Sequence, residues 1–396
     1  MCGSVNDLAR ATLSRRGLLA GAGTAAVGAS LSGAAGPAGA APATAPRTAR
    51  GHRTQLVLLG TSGGPAYWPG STRAGIASAV VVGDRFYLVD CGSGVVRQAR
   101  SAGLGNASHD TDGPLDALRG VFLTHLHSDH VVDLNNVLTE GLFNGLHLVD
   151  RQVPIWGPGN RGGLPPLFGP PPAPPVVAPD SPTPGTREMV DLMVRTFATD
   201  YNDRALDNRK PVPSQLFAGH DVPIPAHLLA DPNGTPCPRM SPVTFFEDDL
   251  VRVSATLVQH APVFPALAFR FETEDGSIVF SGDTGPTENL VELARDADVL
   301  VHEVIDREWV EMLLPEPRTP AQEGLVNHLL HAHTEVTDVG AIAEAAGART
   351  LVLSHLVPGS WPEHKWRRAH TGYSGELVVG RDLDRIGVGR RTRRRR

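Results

Sequence analysis

The run Thr124-His125-Leu126-His127-Ser128-Asp129-His130 places four residues of metal-ligating type in the six positions 125–130, directly after the apolar triplet Val121-Phe122-Leu123. On an extended strand, residues two apart point to the same side, so His125 and His127 can grip one cation together. The chain then turns into a helix, where Asp129 and His130 face a second cation close by. Imidazole and carboxylate ligands suit zinc, with manganese or iron as alternatives. A chance cluster of surface histidines would not be expected to follow a buried strand so directly.

Two cations need more ligands, and three more candidates each close an apolar run. His260 follows Val251 to Val258, and Asp283 follows Ile278-Val279-Phe280 within Ser281-Gly282-Asp283-Thr284-Gly285. His355 follows Leu351-Val352-Leu353. A polar residue that ends a buried strand lies at the rim of a sheet, where sites in layered α/β folds form. Each alone reads as an ordinary loop residue; together and in this order they make a ligand sphere. Two divalent ions about 3.5–4 Å apart can hold a hydroxide whose pKa is lowered towards about 7, and can draw charge from a phosphoryl, sulfuryl or acyl oxygen. A histidine off the metals, held by a carboxylate, can then protonate the departing alkoxide.

The elements that must carry these residues alternate between strand and helix. Gln55 to Leu59 reads as a strand, followed by a Gly/Pro loop at Gly60 to Pro65. Ala77 to Val82 and Phe86 to Val89 flank Gly83-Asp84-Arg85, a hairpin signal. A helix is expected after Asp90-Cys91-Gly92-Ser93-Gly94, and another over Val131 to Glu140. Strands resume at Val251 to Val258, Ala268 to Phe271 and Ser277 to Phe280. Beyond them come helices at Glu288 to Arg295 and Val336 to Ala346, and strands at Val299 to Val301 and Leu351 to Leu353. Twelve prolines between Pro154 and Pro184 exclude regular structure there, so a surface insertion is expected over about 154–242. The pattern predicts an α/β layered fold over about 54–380, with no repeat at solenoid period.

The two ends read differently from the body. Ser14-Arg15-Arg16-Gly17-Leu18-Leu19, a long Ala/Gly-rich apolar stretch and Ala38-Gly39-Ala40 before Ala41 make a secretory signal over 1–40, of twin-arginine type. That predicts export through the twin-arginine machinery to the periplasm, cell surface or medium, followed by a linker at 41–53. The stretch is too Gly-rich to predict a retained membrane span. Of the three cysteines, Cys91 and Cys237 would remain after processing and could form at most one disulfide. The whole chain carries a net charge of −6; residues 1–40 hold three arginines and one aspartate, so the mature chain carries −8. Six arginines lie in Arg390 to Arg396, the end of a basic tail at 381–396, so the body without them carries −14. An acidic body is a poor electrostatic match for a polyanion, and a nucleic-acid partner is not expected.

The order of the motifs resembles the metallo-β-lactamase superfamily, specifically the branch containing tRNase Z, arylsulfatases and cyclic-nucleotide phosphodiesterases. Leu59-Gly60-Thr61, Asp90-Cys91-Gly92, Ala297 to Glu303, His333-Thr334 and Leu353-Ser354-His355 match in order, over roughly 55–360 apart from the insertion. The resemblance implies an αββα sandwich of two mixed sheets with helices outside. It implies His125, His127 and His260 on one metal, Asp129, His130 and His355 on the other, and Asp283 bridging, with two ions that are most often zinc. It also implies His333 as proton donor and Glu303 as the residue that orients it; His302 matches the same motif without a clear role, and Thr334 selects His333 over His331. The chain departs from tRNase Z where that family carries a basic or glycine-rich arm: between Pro154 and Pro184 the only charged residues are Arg161 and Asp180. The expected activity is therefore hydrolysis of a small phosphodiester or sulfate ester, with Asp129, His333 and Glu303 as the catalytic set. The alternatives are an acyl hydrolase (lactonase, thioesterase or β-lactamase) and a tRNase Z-like endoribonuclease. Tyr67, Trp68 and Trp156 are candidates to line a pocket for an aromatic group, and the branch makes a homodimer an open expectation.

Overall fold

The structure is a computed structural model that describes residues 49, 51–110, 112–168 and 172–389. The leader at 1–40, most of the linker at 41–53 and the arginine run at 390–396 lie outside the described residues. The first six strands are β1 (Thr54–Gly60), β2 (Ala77–Val82), β3 (Arg85–Val89), β4 (Leu118–Phe122), β5 (Val153–Gly157) and β6 (Phe217–Asp221). The next seven are β7 (Val243–Glu247), β8 (Arg252–Leu257), β9 (Leu267–Thr273), β10 (Gly276–Phe280), β11 (Val299–Ile305), β12 (Thr350–Val357) and β13 (Glu376–Val379). The last, β14 (Arg385–Val388), returns to the first group. Two seven-stranded sheets result, in the orders β14-β1-β2-β3-β4-β5-β6 and β13-β12-β11-β10-β9-β8-β7. Both are mixed: β3 to β6 run parallel, as do β10 to β13, and the remaining neighbours are antiparallel.

Alternation along β1 shows why the sheets stack. Leu56 and Leu58 face the second sheet, while Val57 and Leu59 face helices on the outside, and all four are fully buried. A strand covered on both faces carries an unbroken apolar run instead of alternating with polar residues. Between the sheets, Phe122 meets Phe271 edge-on at 5.0 Å and Phe246 at 5.4 Å between ring centroids. Helices Val95–Ser101, Leu134–Leu138 and Thr186–Thr196 cover the first sheet, and Glu288–Leu293 and Val339–Ala346 cover the second. This is an αββα sandwich. Among the described residues no helix is long and apolar enough to cross a membrane.

Two boundaries differ from the sequence reading. The stretch 154–242 is not a surface insertion throughout. Pro154 lies within β5, and β6 pairs with β5 from Val153↔Phe217 to Gly157↔Asp221. Proline is tolerated there because it falls at the second position of the strand, and the other eleven prolines follow Gly157. Helix Thr186–Thr196 buries Val190 against the same core. The tail also begins later than residue 381, because β14 pairs antiparallel with β1 from Thr54↔Val388 to Val57↔Arg385. The four residues of β14 begin with Arg385 and follow Arg381, Asp382 and Asp384, so they gave too short an apolar signal to be read as a strand. Cys91 and Cys237 are free, with Cys91 buried.

Candidate metal centre

Every residue of the motifs sits where strands from both sheets end on one edge. Asp90 follows β3, the His125–His130 run follows β4, His260 follows β8 and Asp283 follows β10. Glu303 and His355 lie within β11 and β12, which run further than their apolar triplets suggest. Here the register slips: His302 pairs with Leu353 but Val304 with Leu356, so Ser354 and His355 together oppose Glu303. The extra residue is a bulge, and His355 adopts a left-handed φ of 47°. Bulges re-aim side chains, and this one turns His355 into the site.

Seven side chains converge. His125, His127 and His260 bring three nitrogens together, and Asp129, His130, Asp283 and His355 form a second set, the ligand atoms of each lying within 4.8 Å of one another. His260 Nε2 stands 3.3 Å from His127 Nδ1. Between the sets, Asp283 Oδ2 lies 3.8 Å from His125 Nε2 and 3.3 Å from His355 Nε2, and Asp283 Oδ1 lies 3.3 Å from His130 Nε2. Asp129 Oδ2 lies 3.4 Å from His355 Nε2 and 3.5 Å from His130 Nε2.

Outer groups set which nitrogen faces inward. A carboxylate only accepts, so His130 Nδ1–H donates to Asp90 Oδ2 at 2.9 Å and leaves Nε2 pointing at the cluster. Asp90 has φ 60°, and its Oδ1 also accepts the Thr124 backbone N–H at 2.8 Å. In the same way His260 Nδ1–H donates to the Ala332 carbonyl at 2.8 Å. Glycine permits the close packing at two points. A Cβ on Gly63 would come within 2.5 Å of His355 Nδ1, and one on Gly92 within 2.6 Å of the Asp129 carbonyl oxygen.

The set passes a chemical test for metal binding. His125 Nε2, His130 Nε2 and Asp283 Oδ1 are buried with no hydrogen-bond partner in the protein. Such an atom costs about 1–3 kcal/mol when unpaired, and a shared cation removes that cost. Burial pushes the imidazoles of His125, His127 and His260 down, so each keeps a lone pair to give. For Asp283 burial alone acts upward, but His355 and His130 outweigh it and bring the carboxyl well below the usual range. Burial acts downward on His130, yet Asp283, Asp90 and Asp129 raise it. The carboxylates thus call for positive charge in the gap between the ligand atoms, and nitrogen with oxygen donors fits zinc-like divalent ions.

His333 stands beside this cluster with a carboxylate of its own. Its Nδ1–H donates to Glu303 Oε1 at 3.2 Å, and the same oxygen accepts the backbone N–H groups of Thr284 at 3.1 Å and Thr334 at 2.9 Å. Burial acts downward on His333, but Glu303 and then Asp283 hold its pKa up to about 9. The rings of His333 and His355 stack at 5.9 Å. His302 is buried with Nδ1–H donated to the Glu303 carbonyl and stays out of the cluster, and His331 is exposed. Tyr67 (87% exposed) and Trp68 line a cavity of about 400 Å³ that opens beside Asp129, whereas Trp156 stacks on His220 at 4.6 Å instead. The sequence reading gave no role to Asp90, although its place at the end of an apolar strand was the same signal that marked His260 and Asp283.

Two stacked mixed sheets with helices outside, and a histidine–aspartate cluster on one edge, define a class of metal-dependent hydrolases. The chain belongs to the metallo-β-lactamase superfamily, in the branch that includes ribonuclease Z. Residues 72–202 match the family described as "Metallo-beta-lactamase superfamily", and residues 216–356 match "Beta-lactamase superfamily domain". It is 33% identical to Ribonuclease Z of Mycobacterium bovis over 337 residues, covering 84% of this chain and 98% of the relative. Ribonuclease Z of Mycobacterium marinum is also 33% identical, with the same coverage. Among solved structures, human tRNase Z, short form, covers 84% of this chain and 99% of its own at 19% identity, with a TM-score of 0.52. The metallo-beta-lactamase fold protein YhfI from Bacillus subtilis covers the same shares at 18% identity, with a TM-score of 0.51. The enzyme is a metal-dependent hydrolase.

Proposed function

We propose that the enzyme hydrolyses phosphodiesters at a dinuclear metal centre. The observation that carries this reading is the His333–Glu303 pair, at 3.2 Å, beside the cluster and supplementary to it. When bound, two divalent ions supply a water-derived nucleophile at neutral pH and withdraw charge from the ester oxygens. His125, His127 and His260 would hold one ion, Asp129, His130 and His355 the other, and Asp283 both. Glu303 keeps the proton on His333 Nδ1, so Nε2–H is the proton given to the departing alkoxide. An acyl hydrolase expelling a stable leaving group has less need of that acid.

The test is a panel of metal-loaded protein with bis(p-nitrophenyl) phosphate, p-nitrophenyl sulfate, nitrocefin and a lactone, with and without chelator. Chelator-sensitive phosphodiester turnover above the other three supports the reading, and acyl turnover alone overturns it. Sulfate turnover in excess of phosphate would move the substrate to a sulfate ester on the same residues.

RNA is a second reading, favoured by the 33% identity to ribonuclease Z across nearly the whole of those relatives. Against it stands the acidic body and the absence of a basic cluster between Pro154 and Pro184. Cleavage of a precursor tRNA in the same panel decides between them. Export through the twin-arginine route is also our proposal, on Arg15-Arg16 and Ala38-Gly39-Ala40. Cell fractionation of the wild type and of a double Arg15→Lys, Arg16→Lys variant tests it, since retention of only the variant is expected.

A further inference from the structure

The loop between β1 and β2 walls a cavity of about 400 Å³ that neither the cluster nor the His333–Glu303 pair explains. Asp129, Tyr67, Trp68, Arg73 and Arg97 are among its lining residues. The loop is fixed beside His355, because Ser62 bridges to Gly75 on one side and to Leu356 on the other. Trp68 is a rigid wall: its Nε1–H donates to the Gly63 carbonyl at 2.9 Å, and its ring meets Trp309 edge-on at 5.3 Å. Tyr67, next to it, leaves its ring open to solvent. The two arginines differ. Arg73 is committed to the protein, donating to the Thr61 hydroxyl and to the Gly380 carbonyl, with Asp382 facing it. Arg97, on helix Val95–Ser101, is exposed and makes no hydrogen bond or ion pair among the described residues. Asp129 is the only acidic side chain in the described lining, and it belongs to a candidate ligand set whose cation would neutralise it. An acidic body thus keeps one cavity positive, and a cleft of one sign concentrates ligands of the other.

We propose that this cavity binds the arm that stays on phosphorus and selects an aryl arm bearing a second oxyanion, with the ring against Tyr67 and Trp68 and the charge on Arg97. This rests on the phosphodiester reading above. Asp129 is one of the walls and His333 is not, so the cavity meets the substrate at the metals and apart from the acid that serves the leaving oxygen. A guanidinium fork matches the paired oxygens of a carboxylate or a phosphate, so either group fits Arg97. A cavity of about 400 Å³ lies in the lower part of the range for small-molecule sites and suits one substituted ring.

The experiment compares kcat/KM of the metal-loaded full chain on p-nitrophenyl esters of phenyl, 4-carboxyphenyl and 4-phosphonooxyphenyl phosphate. All three release p-nitrophenol, so only the retained arm varies. The wild type should prefer a charged arm over phenyl by roughly two- to fivefold at low salt, the range of an exposed charge pair, and less at high salt. The larger of the two preferences identifies the oxyanion. Arg97→Ala should bring the ratio to about one or below, since the acidic body then repels the second charge, and Arg97→Lys should keep part of it. Tyr67→Ala should lower kcat/KM on the phenyl ester relative to p-nitrophenyl methyl phosphate, which has no ring to stack. Because each ratio is taken within one preparation, a partly folded or partly loaded variant does not change it. A wild-type ratio of one or less for both oxyanions, or an unaltered ratio in Arg97→Ala, overturns this proposal while phosphodiester turnover persists. Absence of turnover on every one of these esters in the wild type defeats the reading beneath it as well.

Discussion

Replacing Asp90 with Asn should weaken one metal site more than the other. Asp90 holds His130 through a buried 2.9 Å bond and takes the Thr124 backbone N–H on its other oxygen at 2.8 Å. Asn tolerates the left-handed φ of 60° at this position better than most residues, so the substitution removes charge with little backbone cost. Loss of a group that orients a ligating imidazole typically costs about 10–100-fold in metal affinity, or about 1.4–2.7 kcal/mol. The cost should fall on the set built from Asp129, His130, Asp283 and His355, because among the described residues His130 donates to Asp90 and His125, His127 and His260 do not. Competition for zinc against a chromogenic chelator should therefore turn two tight steps into one tight and one weakened step. Two unchanged steps, or an equal loss in both, would refute the orienting role of Asp90.

Leaving-group dependence checks the acid: His333→Ala should lower turnover of an alkyl phosphodiester by about 10²–10⁴-fold, but that of bis(p-nitrophenyl) phosphate far less. Equal losses on the two esters, measured as kcat, would remove His333 from that role. In the metal-free protein, the His333 ring should titrate at about 9, and lower in Glu303→Gln, by NMR. Because the folded value lies above the ordinary 6.5, the linked stability is complete below about pH 6.5 and is lost as pH rises through about 9. A thermal midpoint that does not fall over that window would contradict the assignment. Gly63→Ala should reduce metal affinity while the fold persists, since the new methyl presses on His355; circular dichroism with metal titration separates the two effects. Phe122→Ala, in the middle of the sandwich, should cost about 3–5 kcal/mol in denaturant unfolding.

The site was more legible than its supports. Ligand residues at the ends of apolar runs could be found because burial makes the run apolar and the rim makes the next residue polar, as at His260 and Asp283. His355 was found by that rule although it does not end its strand: β12 runs on to Val357, and the bulge that turns His355 inward depends on pairing with β11, which one strand's sequence does not contain. Asp90 ends an apolar run as His260 and Asp283 do, but its task is to hold His130, 40 residues away, and that pairing is not written in the strand end. The proline density hid β5, since averaging over 154–184 blended one strand proline with eleven that follow it.

The candidate ligands are divided between the sheets: His125 to His130 issue from the first, and His260, Asp283 and His355 from the second. Neither half of the chain can therefore complete either set alone, and a nascent chain offers no finished site until both sheets have docked. Bound metal then acts as a clasp across the seam, and its binding energy adds to the stability of the docked state in proportion to the logarithm of free metal over Kd. Scarcity of metal would be felt first as loosening between the halves, before any strand unravels.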